Sequence, residues 1–230
     1  MNSYKVIKVI NFPEIAVNKY ISTIVPGTLP GITKEPMTKI THINTDYMGY
    51  DYYLIDHEMM IKESGIAFGY VEGVPQSMEF FNYLKKYEVE CFLAKSKDYA
   101  YLSAPSFVTN DLSRLMSKNN DLQTEIEEIE LNMSLLKEHA TDYLGAWFKK
   151  VSTRISSSAL FGSDLINDPL YEQLLHDGAM LSSVYIPYKD VTIHLNNKSG
   201  VSSRYNFTNA ADEIYLIDSL KSDIIDKIKN

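Results

Sequence analysis

Apolar residues return at alternating three- and four-residue steps along Leu112, Leu115, Asn119, Leu122, Ile126, Ile129, Met133, Leu136, Ala140, Tyr143 and Trp147, with Asn119 the main polar interruption. That period marks a helix with one apolar stripe, sustained long enough to specify a coiled-coil seam. The spacing predicts a long heptad-patterned helix over 112–147, with Asn119, Leu122, Ile126, Ile129, Met133 and Leu136 as its oligomer interface. A buried Asn119 would fix register at a cost in stability. Alternatively, Lys118-Asn119-Asn120-Asp121 ends one helix and caps the next, with Gln123 at its third position. A parallel homodimer would set Glu125 against Glu130 of its partner, so an antiparallel pairing, a helix of the same chain or a basic partner fits better.

On either side the pattern changes period. Ser3 to Ile10 is dense in β-branched residues and reads as a strand; Asn11, Pro13 and Glu14 then start a helix with Val17, Tyr20, Ile21 and Ile24 on one stripe. Three prolines and two glycines between Pro26 and Pro36 predict an exposed loop. Residues 39–43, 50–55 and 66–71 read as strands, and Pro75 opens a helix burying Met78, Phe81 and Leu84. Residues 88–94 and 99–104 form a hairpin turned at Lys97-Asp98.

Past Trp147 comes a short serine-rich stretch at 155–160, then a helix from Asp168-Pro169 stopped by Gly178. Three strands follow at 180–186, 191–196 and 201–207; in the middle one Val191, Ile193 and Leu195 alternate with Thr192, His194 and Asn196, giving an apolar and a polar face. A last helix, capped at Asn209, carries Ile214, Ile217, Leu220, Ile224 and Ile228 on its apolar face. The expected fold class is α+β. Residues 1–118 form an N-terminal mixed α/β unit, 119–147 the heptad-patterned central helix, and 148–230 a C-terminal antiparallel three-stranded meander with a covering helix.

Composition narrows the function classes. A chain of 230 residues that is 45% apolar builds a core and is not disordered over most of its length. The single cysteine, Cys91, excludes a disulfide framework and any multi-thiolate site. No apolar leader segment or run of membrane-spanning length stands out, so a soluble cytoplasmic protein with no membrane partner is expected. The net charge of −8 is concentrated: residues 119–140 hold six acids against one base, Lys137, whereas residues 1–118 hold 12 bases against 13 acids and 141–230 hold 9 against 11. A carboxylate-coated surface is thereby disfavoured.

The strong catalytic signatures are absent. There is no phosphate-cradling glycine loop, no Gly-x-Ser-x-Gly, and no Glu-x-Lys. His57-Glu58 lacks the second histidine a helical zinc site needs, since Ile61 stands there. What survives is an acidic, imidazole-bearing stretch in which His42, Asp46, Asp51 and His57 are candidate metal ligands and His57 and Glu58 candidate catalytic groups of a metal-dependent hydrolase. Trp147, Lys149, Lys150 and Arg154 lie in a stretch from Asp142 to Asp164 that no acid interrupts, and are candidate nucleic-acid or phosphate contacts. Tyr47, Tyr50, Tyr52 and Tyr53 crowd one segment, either presented to a partner or packed on both faces of a sheet. No cofactor is implied.

The leading expectation is a non-enzymatic regulatory or interaction protein, assembling with itself or a protein partner through the 112–147 helix. Nucleic-acid or nucleotide binding and metal-dependent hydrolysis are the alternatives. Abundant Ile, Asn, Lys and Tyr point to an AT-rich bacterial or phage genome.

Overall fold

The computed structural model describes residues 3–13, 36–205 and 207–230, together with the backbone pairing of Ile21–Ser22. Its strands are β1 (Ser3–Asn11), β2 (Ile21–Ser22), β3 (Met37–Tyr47), β4 (Tyr50–Ile61), β5 (Gly65–Val71), β6 (Val74–Phe80), β7 (Tyr83–Ala94), β8 (Tyr99–Ser103), β9 (Glu125–Glu128), β10 (Gly145–Lys149), β11 (Ser157–Phe161), β12 (Met180–Tyr188), β13 (Val191–Asn196) and β14 (Gly200–Ser203). The helices are α1 (Ser106–Met116), α2 (Pro169–His176) and α3 (Ala210–Leu220), the last continuing through a π turn to Ile228.

One antiparallel sheet runs β11-β10-β12-β13-β14-β1-β8-β7-β4-β3-β2, with β9 as a twelfth strand on β1, while among the described residues β5 and β6 pair only with each other. Short turns set the registers. Met48-Gly49, Glu72-Gly73 and Lys189-Asp190 all take positive φ at both turn residues, the conformation whose twist matches a two-residue hairpin.

The sheet is covered on opposite faces at its two ends. Val108, Leu112 and Met116 of α1, with Leu122 and Ile126, pack on Ile7, Val9, Ile55, Val89 and Leu102. On the other face Ile214, Ile217 and Leu220 of α3, with Leu136 and Tyr171, pack on Phe148, Val184, Ile193 and Leu195. β1 supplies both cores, Tyr4 and Val6 to one and Ile7 and Val9 to the other, so its near-continuous apolar run is that of a strand buried on both sides.

The expected α+β arrangement is corrected on several counts. Segment 112–147 is not one helix, and no coiled coil can form from it. α1 ends at Met116; Asn119 and Thr124 then exchange backbone hydrogen bonds of 2.9 and 3.0 Å, the Asn119 Oδ1 accepts from the Leu122 N–H at 3.0 Å, and Gln123 sits at positive φ. Asn-Asn-Asp favours such a turn because its side chains hydrogen-bond nearby backbone in place of the helical ladder. Beyond it lie β9, a 3₁₀ turn at Met133–Glu138, and β10 with Trp147. Leu122, Ile126, Met133 and Leu136 are buried nonetheless, Leu122 from a turn and Ile126 from β9 in one core, Met133 and Leu136 from the 3₁₀ turn in the other, against which Ile129 also packs. Their three- and four-residue spacing is thus the sum of several local burials and not a stripe.

Nor is the N-terminal part a mixed α/β unit, since its described strands are antiparallel. The helix expected from Pro75 is β6, because the Glu72-Gly73 turn pairs 74–80 with 65–71. Pro75 fits there as one strand of an isolated hairpin. The three strands after Gly178 are present as hairpins, but β14 also pairs with β1, Ser202 opposite Ser3, so the meander belongs to the common sheet. Of the helix expected after Asn11, Ile21–Ser22 form instead the short strand β2 on β3; its residues 14–20 and 23–24, and the loop expected from Pro26 apart from Pro36, fall outside the described residues.

Candidate functional site

Helix α1 packs against β1 and β9, and no helix among the described residues packs as closely on the same face of β10–β14. Pairing registers place two rows of side chains across it. One runs Phe161, Gly145, Tyr185, His194, Ser202, Ser3; the next runs Ala159, Trp147, Ser183, Asn196 and continues over Gly200 to Lys5; Lys149 and Ser157 begin a third. None of these positions is acidic.

The rings form one cluster. Trp147 meets Phe161, Tyr185 and His194 edge to face, with centroids 5.0, 5.1 and 5.6 Å apart. The Arg204 guanidinium lies over Tyr185 at 5.2 Å. Gly145 makes room, because a Cβ there would meet the Tyr185 and Phe161 rings at 3.1 and 3.2 Å. Phe161 is 66% exposed, so the cluster opens to solvent at the β11 edge. Burial pushes the His194 imidazole below its ordinary value, which keeps it neutral at pH 7.

The rows run into a cleft of about 380 Å³ against the start of α1, lined by Lys5, Asn110, Lys149, Asn196, Lys198 and Trp147 among others. Lys5, 2% exposed, donates to the Asn110 Oδ1 at 2.9 Å and to the Glu128 carboxylate, using two of an ammonium's three donors. Burial lowers its pKa, which its contact with Glu128 partly offsets. Burial raises the Glu128 carboxyl, but the Lys5 hydrogen bond and the charges of Lys5 and Lys198 outweigh it and hold it below its usual range. Lys198 stands 3.7 Å from Glu128. Glu128 thus pairs with Lys5 and Lys198, while Lys149 lines the cleft as a further cation. An anion entering the cleft would meet excess positive charge in a partly water-excluded site, where it counts for more than at a flat surface.

Of the expected nucleic-acid contacts, Trp147 and Lys149 reach this cleft, whereas Lys150 and Arg154 are exposed in the turn between β10 and β11. Lys5, Lys198, Tyr185 and Phe161 were missed; only the alternation of Thr192, His194 and Asn196 signalled this face.

The 42–58 groups do not converge. His42 packs at a tilt against the Tyr53 ring, Asp51 pairs with Lys95 at 2.7 Å, Asp46 is exposed in β3, and the Glu58 carboxylate accepts the Met37 N–H at 3.2 Å. Among the described residues no three ligating side chains gather. His57 bridges Thr38 (2.8 Å) and Asp111 (3.1 Å), an order of groups that resembles a nucleophile relay, but Thr38 and His57 are both fully buried and no substrate reaches them. The arrangement ties α1 to β3 and β4. Tyr50 and Tyr52 face one side of the sheet and Tyr53 the other, so this cluster packs on both faces.

No family model matches the chain, and no curated protein does. Among the described residues no helix is long and apolar enough to cross a membrane.

Proposed function

We propose that the open face of β10–β14 binds single-stranded nucleic acid, with bases stacking on the Trp147–Phe161–Tyr185 rings and phosphates held by Lys149, Lys198 and Lys5. The observation that carries this reading is local: in a chain of net charge −8, these rows hold rings, hydroxyls, amides and lysines and no carboxylate. Aromatic platforms beside basic residues are the sequence-tolerant mode of single-strand recognition, each stacked base contributing about 1–3 kcal/mol. From β11 to β13 the ring row spans three strand spacings, roughly 14 Å, enough for a few nucleotides.

Trp147 is the sole tryptophan, so its emission reports on the platform directly. Titration with oligothymidylate is expected to quench it, with an affinity that falls as salt rises with a log–log slope of about −2 for three phosphate contacts. Lys149→Ala and Lys198→Ala should each make that slope shallower by about 0.7. Unchanged emission and anisotropy at millimolar oligonucleotide would refute the proposal.

A further inference from the structure

On the opposite face α3 lies over a floor of tyrosines. Between them and the β3–β4 turn is a cleft of about 650 Å³, lined by Tyr50, Tyr99, Tyr215, Asp212, Asp218 and Lys95 among others. Asp218, inside α3, accepts from the Tyr99 hydroxyl at 3.1 Å and the Tyr101 hydroxyl at 2.7 Å. Phenols solvate a carboxylate without neutralising it, and Asp218 forms no ion pair among the described residues. Two of the nearby bases are committed elsewhere, Lys221 to Asp226 at 2.8 Å and Lys95 to Asp51 at 2.7 Å.

We infer that this cleft binds an alkylammonium group, with Asp218 as its counter-charge and the rings of Tyr50, Tyr99 and Tyr215 as its walls. The rings already attract such a group from within the chain: the Lys221 ammonium lies 4.0 Å from the centroid of Tyr99 and the Lys189 ammonium 5.3 Å from that of Tyr215. Rings beside one carboxylate suit a weakly hydrated organic cation, whereas a metal ion needs several oxygen ligands. Burial first, and the Asp218 charge next, hold the Tyr50 hydroxyl above its ordinary value, so it stays a neutral donor. A polyamine and a lysine side chain carry the same chemistry. The site is on the other face from the proposed nucleic-acid surface and stands or falls independently of it.

The test is calorimetric titration of the full chain with spermidine and, separately, with a short lysine-containing peptide. Saturable binding of either supports the site, and which one binds identifies the source. Asp218→Asn keeps an acceptor for the tyrosines and is expected to weaken binding by about tenfold. Tyr215→Leu should weaken it more than Tyr215→Phe, and because Tyr215 is 69% exposed this pair reads the ring without threatening the fold. Glu72→Gln, in the distant β5–β6 turn, should change nothing. No saturable binding of either probe by about 10 mM, wild-type affinity in Asp218→Asn, or an equal loss in Glu72→Gln overturns the inference.

Discussion

Lys5 and Glu128 are separated by 123 positions in the chain and meet side chain to side chain where β9 and β14 follow one another along one edge of β1. The folded state holds the Glu128 carboxyl below its ordinary value of 4.5, so this contribution is fully present above about pH 4.5 and is lost as pH falls through the folded value. Asp111, lowered chiefly by the His57 hydrogen bond, acts in the same direction. Glu128→Gln is expected to cost about 1–2 kcal/mol at pH 7, discounted because Glu128 is partly exposed, and to flatten the acid limb of stability. Urea midpoints measured at pH 7, 4 and 3 check both.

Ile126 is 2% exposed in β9, beneath α1. Ile126→Ala is expected to lower stability by about 2–4 kcal/mol, read from urea unfolding. Ile126→Asp should leave no folded species. A folded protein of smaller oligomeric state from Ile126→Asp would contradict the placement of this side chain.

Gly200 lets the Asn196 side chain close over the β13–β14 turn, where its Oδ1 accepts from the Lys198 and Gly200 N–H groups at 2.9 and 3.0 Å. A Cβ at 200 would stand 2.3 Å from the Asn196 Nδ2. Gly200→Ala is therefore expected to cost about 1–3 kcal/mol and to weaken oligonucleotide binding, since Asn196 and Lys198 line the cleft. Thermal melts and Trp147 quenching measure the two effects.

Alkali should unfold the protein cooperatively. Burial, followed by neighbouring carboxylates, raises the hydroxyls of Tyr4 and Tyr50, and that of Tyr52 is pushed up to about 12. Folded values above the unfolded one of 10 give stability that is complete below pH 10 and lost as pH rises through the folded values. Tyrosinate absorbance should climb in a late step coincident with loss of near-ultraviolet dichroism. Smooth titration of every tyrosine around pH 10 would contradict these environments.

The sequence was legible where the cause of structure is local. Asp168 caps α2, its Oδ1 accepting from the Leu170 N–H at 2.8 Å, and Gly178 ends the turn after it at positive φ. Asn209 caps α3 in the same way, accepting from Asp212 at 2.9 Å. The Lys97 turn between β7 and β8 and the two-faced β13 follow from neighbours in sequence. Where burial depends on distant strands, periodicity misled: Leu122, Ile126 and Met133 keep helical spacing without sharing a helix. Half of the candidate site was hidden for the same reason. Lys5 is one of two lysines in a strand dense in β-branched residues, and its partners Asn110 and Glu128 are 105 and 123 residues away, beyond the reach of any window along the chain.

β1 has β8 on one edge and, end to end along the other, β9 and β14. Synthesis makes it before all three, and Ser3 waits for Ser202. The loop closure that unites the sheet is therefore among the last events of folding, and a slow one by the logic of contact order. A nascent or truncated chain lacking Gly200–Ser203 exposes the backbone of Ser3–Lys5 as an unpaired edge, a template for misassembly with other chains.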